Sequence, residues 1–364
     1  MTCDIMTCDI LVSGTGSFAA RIIFDIAATA QKPVKVVIAG RNRERLDWLK
    51  TAANARASIF GRPARFESHE IDLLEDGAAT GLIEATRPKV TVQAASIQTS
   101  SVIAEAGNAW ARLVAEGGLS ATAVFQALIS KRVAEAITAL GHETALINCC
   151  FPDVVNGLIA ALGHEVACGM GNVAILSNVF AGSGAVPANK PLKVLAHYQN
   201  LSAWRRPAAT RSGPAPRVWI DGAEIGDVFA TFASVKLTPE PVIDISGASG
   251  VPMLLAMAAG DRWTGHVPGP NGLPGGYPVS LSQAGLSLDL PDGITRSEAV
   301  AWNQAFEQDN GLTVDAAGHV RFNGVLHDRL ARYEPALADG FDVRDLEMVC
   351  QSMLALRDRL AATG

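Results

Sequence analysis

The sequence has no surplus of positive charge: 36 acidic residues outnumber 30 lysines and arginines, for a formal net charge of -6. Such a chain lacks the basic stripe that displaces counterions from a nucleic-acid backbone, and aromatics, at 6%, offer few platforms for stacking bases. No nucleic-acid partner is expected. Uninterrupted apolar runs of membrane-spanning length are also missing, and the start lacks the basic region followed by an apolar stretch that marks a secretion signal. No membrane association is therefore expected. The six cysteines (Cys3, Cys8, Cys149, Cys150, Cys168 and Cys350) have spacings that match neither a zinc site nor a small disulfide framework, so a cytoplasmic location and no bound metal are the expectation. Charged residues reach only 18% against 49% hydrophobic, which excludes a largely disordered chain and suits a well-buried enzyme.

At 364 residues the chain exceeds what one core usually holds, and two lobes are expected. The opening MTCDI at Met1–Ile5 is repeated at Met6–Ile10, and only the second copy leads into a strand; it reads as a duplicated start rather than a functional repeat. From Asp9 to Val12 an apolar strand runs into Gly14-Thr15-Gly16-Ser17-Phe18-Ala19, and a helical pattern follows through Ile22, Ile23 and Ile26. Val34–Ala39 is a β-branched run of the kind parallel sheets bury on both faces. A helix over Glu44–Ala53, strands at Arg65–Ile71, Val90–Ala95 and Thr144–Cys149, and helices near Gly77–Thr86, Lys131–Leu140 and Val154–Leu162 continue the alternation. This predicts an α/β fold, a Rossmann doubly wound parallel sheet, over residues 1–160.

The glycine turn carries the chemistry. Gly14 allows a tight bend, Gly16 lets the backbone approach a pyrophosphate seated on the helix N-terminus, and Ala19 stands at the third glycine position. Thr15, Ser17 and Phe18 complete the expected contact segment. After the second strand an NAD-type site places Asp or Glu on the ribose hydroxyls, whereas this chain reads Ala39-Gly40-Arg41-Asn42-Arg43. Arg41 and Arg43 can hold a 2′-phosphate, with Asn42 between them, so NADP is preferred to NAD as the cofactor. The competing reading is that Arg43 and Arg45 are solvated helix residues. Asp72 can meet the adenine edge or cap the next segment. Ala95, Ser96 and Gln98 follow the fourth strand, where small and polar residues suit the nicotinamide half, or form a polar loop before the helix of Trp110.

These residues, GTGSFA, VVIAGRNRERL, IDL and QAAS, resemble the saccharopine dehydrogenase-like group of NAD(P)-dependent oxidoreductases over about the first 100 positions. The resemblance implies the Rossmann fold, redox chemistry and Arg41 as the contact to the adenosine 2′-phosphate. It implies an amino-acid substrate less firmly, because similar cofactor domains serve other reactions.

Asn148 ends a strand where cofactor and substrate meet and can contact the nicotinamide ribose; Asp153 can position substrate or cap the helix that follows. Cys150 reads as a small buried residue rather than a nucleophile. Strands are expected within Val166–Ser177, Arg217–Ile220, Asp227–Phe232 and Pro241–Ser246, forming a second, α+β domain with a mainly antiparallel sheet over residues 161–335. Pro187–Arg217 and Gly265–Val279 read as long shaped loops. A C-terminal helix in residues 336–364 is expected to pack back on the first domain. His197 and Tyr277 are the candidates for the proton role that hydride transfer requires, each against a purely structural reading. Lys190 or Lys193 can bind a substrate carboxylate.

The function expected from these readings is an NADP(H)-dependent dehydrogenase or reductase acting on a small-molecule substrate, a polar carbonyl, hydroxy acid or imine, bound between two lobes of a chain that can form a homodimer. The alternative is a dinucleotide-binding sensor or scaffold without turnover.

Overall fold

A computed structural model describes residues 6–98, 107–237 and 242–362. The first copy of the MTCDI repeat lies outside them.

Six parallel strands form one sheet: β1 (Ile10–Ser13), β2 (Val34–Gly40), β3 (Ala64–Glu70), β4 (Val90–Gln93), β5 (Ala145–Asn148) and β6 (Cys168–Gly169). Their order, β3-β2-β1-β4-β5-β6, reverses between β1 and β4, the switch point at which such sheets open a crevice. β1 and β2 are almost wholly buried, as their unbroken apolar runs dictate. Helix α1 (Ser17–Thr29) turns Ala19, Ile22, Ile23 and Ile26 onto the sheet, and the otherwise polar α2 (Arg43–Ile59) buries only Leu46, Leu49, Ala53 and Ala57, one stripe at three- and four-residue spacing. Helices α3 (Ala78–Thr86), α4 (Ala109–Gly117), α5 (Ala123–Leu140) and α6 (Pro152–Ala161) complete the crossovers, α6 with a proline at its first position where no amide partner is lost.

Beyond β6 come three three-stranded antiparallel sheets: β7 (Leu192–Leu195), β8 (Arg217–Ile220) and β9 (Ala223–Glu224); β10 (Trp263–Pro268), β11 (Gly276–Ser282) and β12 (Gly285–Leu288); and β13 (Gly311–Val314), β14 (His319–Asn323) and β15 (Phe341–Asp342). With them run α7 (Val173–Ala181), α8 (Ile243–Ser249), α9 (Val251–Ala259), α10 (Arg296–Asp309), α11 (Gly324–Tyr333) and α12 (Leu346–Ala361). These sheets do not share one core. Leu312, Val320 and Phe322, with Leu326 of α11 and Met353 of α12, join the cluster on one face of the parallel sheet. Tyr277, Val279, Met253 and Ala299 join α1 and α2 on the other face. The β7-β8-β9 sheet packs with α7 around Phe180, Trp204 and Phe232.

Several expected elements are different in the structure. Only Cys168–Gly169 of Val166–Ser177 is strand, because Gly171 (φ 88°) and Asn172 (φ 47°) break the chain and α7 begins at Val173. Asp227–Phe232 is a helical turn: the Asp227 side chain accepts from Ala230 N (2.9 Å), and Phe232 stacks on Phe180 at 4.1 Å between ring centroids. The expected strand Pro241–Ser246 starts outside the described residues and continues as α8. Pro187–Arg217 contains β7, and Gly265–Val279 is a hairpin whose left-handed glycines, Gly269, Gly272 and Gly275, all fall in the connection between β10 and β11.

Candidate functional site

The carboxyl ends of β1, β4, β5 and β6 meet at the switch point. At β1 the chain turns through Gly14, whose φ of 124° suits glycine; a Cβ there would stand 3.0 Å from the Ala94 carbonyl. Gly14 N donates to Ala39 O (2.8 Å), which ties the turn to β2. At Gly16, by contrast, a Cβ would meet nothing within 4 Å, and this residue precedes α1 without any side-chain cap. The first-turn amides of Ser17, Phe18 and Ala19 therefore open a 13-residue helix with no side chain among the described residues placed to receive them. Ala19 itself is buried, so a small residue is needed there for α1 to seat on the sheet.

Arg41 and Arg43, 71% and 79% exposed, have acidic neighbours among the described residues: Asp72 lies 3.6 Å from Arg41, and Glu70 accepts from Arg43 Nη1 at 3.3 Å. Exposed pairs of this kind contribute about 0–1 kcal/mol, so both guanidiniums remain available to an anion. Asn42 caps α2 by accepting from Arg45 N (2.9 Å). Asp72 takes the second of its two expected places: one oxygen accepts from Leu74 N (3.0 Å) to close the next turn, while the other faces Arg41 at 3.6 Å. Arg45 is not simply solvated. Its Nε donates to Thr15 O (3.2 Å), a brace between α2 and the glycine turn.

Beyond β4, Gln93 holds the crevice floor. It accepts from Ser13 Oγ (2.6 Å) and donates to Ala95 O (2.6 Å), which fixes the Ala94-Ala95 backbone beside Gly14. Ser96 Oγ donates to Gln98 O (2.6 Å). The carboxamide of Gln98 is buried, and among the described residues neither its nitrogen nor its oxygen has a hydrogen-bond partner. Such a group costs roughly 1–3 kcal/mol unless something pairs with it. Asn148 is the opposite case: Ser130 Oγ, Cys150 N, Cys150 O and Asn156 Oδ1 use its whole capacity, so its side chain organises the turn after β5 rather than facing a ligand.

Asp153, the second residue of α6, does not cap that helix, whose N-cap is Phe151. Its carboxylate instead accepts from Tyr198 N (3.1 Å) and, at very short range, from Asn172 Nδ2. Burial pushes this carboxyl up to about 7; the Asn172 and Tyr198 hydrogen bonds oppose the shift and nearby Glu307 adds to it. Asp153 and Glu307 line a cavity of about 150 Å³ with Gln304, Thr313 and the backbone of Gly272. Glu307, also raised by burial, accepts from Ser120 Oγ (2.7 Å) and Leu312 N (2.6 Å). His197 is fully enclosed, stacked on Phe306, and burial holds it down at about 3. Its Nδ1 accepts from Gln199 N (3.4 Å), which leaves the ring proton on Nε2, 3.3 Å from Glu307 Oε1 but off hydrogen-bonding geometry. Tyr277 is buried too, its hydroxyl donating to Pro274 O (2.7 Å). Lys190 and Lys193 are paired with Asp221 and Asp289. The five described cysteines are free, and burial raises Cys150 to about 12, far from nucleophilic readiness. Among the described residues no cluster could hold a metal ion, and no helix is long and apolar enough to cross a membrane.

Sequence reading missed Gln93, Asn172, Tyr198 and Glu307. The turn Gly171-Asn172 after an apolar strand was a usable signal; Glu307, in the last turn of α10, carried none.

The fold these elements define is the six-stranded doubly wound Rossmann architecture. No protein-family model matches the chain, and no curated protein matches its sequence. Among solved structures it is similar to malate dehydrogenase from Picrophilus torridus in its apo form (TM-score 0.55, 13% identity, 89% of this chain and 99% of that one). It is also similar to malate dehydrogenase from Archaeoglobus fulgidus in complex with NADH (TM-score 0.52, 13% identity, 82% and 97%) and to lactate dehydrogenase from Eimeria maxima with NADH and oxamate (TM-score 0.50, 13% identity, 82% and 93%). These likenesses establish a shared fold with malate and lactate dehydrogenases; none is to a saccharopine dehydrogenase-like protein.

Proposed function

We propose that this chain is an NADP(H)-dependent oxidoreductase that moves a hydride to or from a small polar carbonyl, hydroxy acid or imine held where the parallel sheet meets the antiparallel ones. The observation that carries the reading is the uncapped N-terminus of α1 behind an open Gly16 at the switch point, a seat for a diphosphate. The buried Gln98 carboxamide, unpaired among the described residues, suits the amide of a nicotinamide at the end of β4. Two structures of similar fold hold NADH, which supports a nicotinamide dinucleotide; the absence of an acid at the end of β2, with Arg41 and Arg43 exposed beside it, favours the phosphorylated form.

The bound dinucleotide supplies or accepts the hydride. Gly14, Thr15, Gly16, Ser17, Phe18 and Ala19 hold its diphosphate, Arg41 and Arg43 its 2′-phosphate, and Asn42 and Asp72 keep those arginines in place. Ala95, Ser96 and Gln98 border the nicotinamide half. Asp153 exchanges the substrate's proton, since a carboxyl poised near neutrality is suited to both acid and base work. His197, Tyr277 and Asn148 shape the surroundings of that carboxyl from within the core.

Calorimetric titration with NADPH and NADH tests this. NADPH is expected to bind about tenfold or more tightly than NADH, a difference of about 1.4 kcal/mol. Failure of both to bind removes the reading. Binding without oxidation or reduction across a panel of oxo acids, hydroxy acids and imines would favour a sensor.

A further inference from the structure

Building on the reading of this turn as a dinucleotide site, we propose that Thr15 is a specificity-determining residue. Its methyl group fills the space at the end of β2 from which a ribose-binding carboxylate would project, and so directs the site to the 2′-phosphorylated dinucleotide.

Gly40 is the last residue of β2, and its φ lies outside the left-handed region, so the backbone there does not require glycine. Glycine inside a strand weakens it and marks a place where another group comes close. Here that group is Thr15: a Cβ on residue 40 would lie 2.8 Å from Thr15 Cγ2, inside van der Waals contact, and 3.8 Å from its Oγ1. Position 40 therefore faces the diphosphate turn, where an NAD-type site needs its acidic side chain.

Thr15 is poorly placed to yield. A β-branched side chain has few χ1 rotamers. Its backbone is braced by Arg45 Nε on Thr15 O (3.2 Å), by Gly14 N on Ala39 O (2.8 Å) and by the close Ala94 carbonyl. Two acids near the end of β2, Glu70 and Asp72, stand on or just beyond the neighbouring strand β3 and face Arg43 and Arg41. With residue 40 blocked, the adenosine end of the crevice presents guanidinium groups at the end of β2 and no carboxylate there.

The test is a pair of mutant cycles on the whole chain. In urea denaturation without cofactor, Gly40→Ala is expected to lower the unfolding midpoint of the wild type and to have a clearly smaller effect in Thr15→Ser, which keeps the hydroxyl and lacks the methyl. In calorimetric titrations, Gly40→Asp alone is expected to lose affinity for NADPH and NADH alike, whereas Thr15→Ser/Gly40→Asp is expected to bind NADH at least about tenfold more tightly than Gly40→Asp does, with NADPH affinity still reduced. Equal effects of the Gly40 substitutions in both backgrounds, with the wild type still preferring NADPH, would overturn this inference alone. A wild-type chain that binds neither dinucleotide would overturn the oxidoreductase reading, and the specificity role with it, even if the urea cycle showed the contact.

Discussion

Asp153 and His197 lie close together in the core and respond to burial in opposite senses. For Asp153 burial disfavours the charged form and raises it from 3.8 to about 7, so the folded chain holds a proton that the unfolded chain releases. That contribution to stability is complete below the unfolded value and is lost as pH rises through 7. For His197 the same desolvation lowers the group from 6.5 to about 3, so its contribution is present above 6.5 and is lost as pH falls toward 3. Over the shared window the two slopes oppose each other. Asp153→Asn removes one of them: its stability relative to wild type is expected to improve steadily from pH 4.5 to 7.5 in urea melts, and a flat difference would contradict the assignment. In turnover assays the same variant is expected to lose about 10²–10⁴-fold in kcat and the inflection near neutrality, with NADPH affinity unchanged.

At the scale of elements, the glycine turn is where conformation and packing demand the same residue. Gly14→Ala would put a side chain at a φ of 124° and drive its Cβ against the Ala94 carbonyl. A destabilisation of about 1–3 kcal/mol is expected in urea melts, together with a loss of NADPH binding. A useful control is α10, whose start is closed by a reciprocal cap between Thr295 and Glu298. Thr295→Ala is expected to cost about 1 kcal/mol and to leave dinucleotide affinity unchanged.

The contrast between these two halves explains what the sequence made legible. Each βα unit is local: the run Val34–Ala39, the stripe through Leu46, Leu49 and Ala53, and the glycines at 14 and 16 can all be read within a few residues of one another. The antiparallel hairpins are local as well, but what ties one to another is distant, such as the bridge between Ala196 and Gly276, which no local pattern announces. Short apolar stretches such as Val228–Thr231 fit strand and helix alike until Asp227 is seen to cap one of them. The same distance hides the proton site. Asp153, Asn172, Tyr198 and Glu307 come from four separate segments; Asp153 and Asn172 each follow a strand end that marks them, whereas Glu307 lies in a helix that gives no such mark.

At the scale of the whole molecule, the last helix belongs to the first sheet's core. Leu346, Cys350, Met353 and Leu356 of α12 are buried against α4 and α5, so α12 is an integral wall rather than a tail. Met353→Ala is expected to cost about 2–5 kcal/mol, read as a fall in the denaturation midpoint, although residue 353 lies more than 200 positions from those helices.

The way later segments roof both faces of the parallel sheet also bears on biosynthesis. A ribosome that has released only the first 170 residues has made every strand of that sheet, yet the segments that cover Trp110 and Phe125 on one side and Ile22 and Ile26 on the other are still to be translated. The nascent half must wait with greasy surfaces bare, a natural client for a chaperone. Expressed by itself, that half should collect in inclusion bodies.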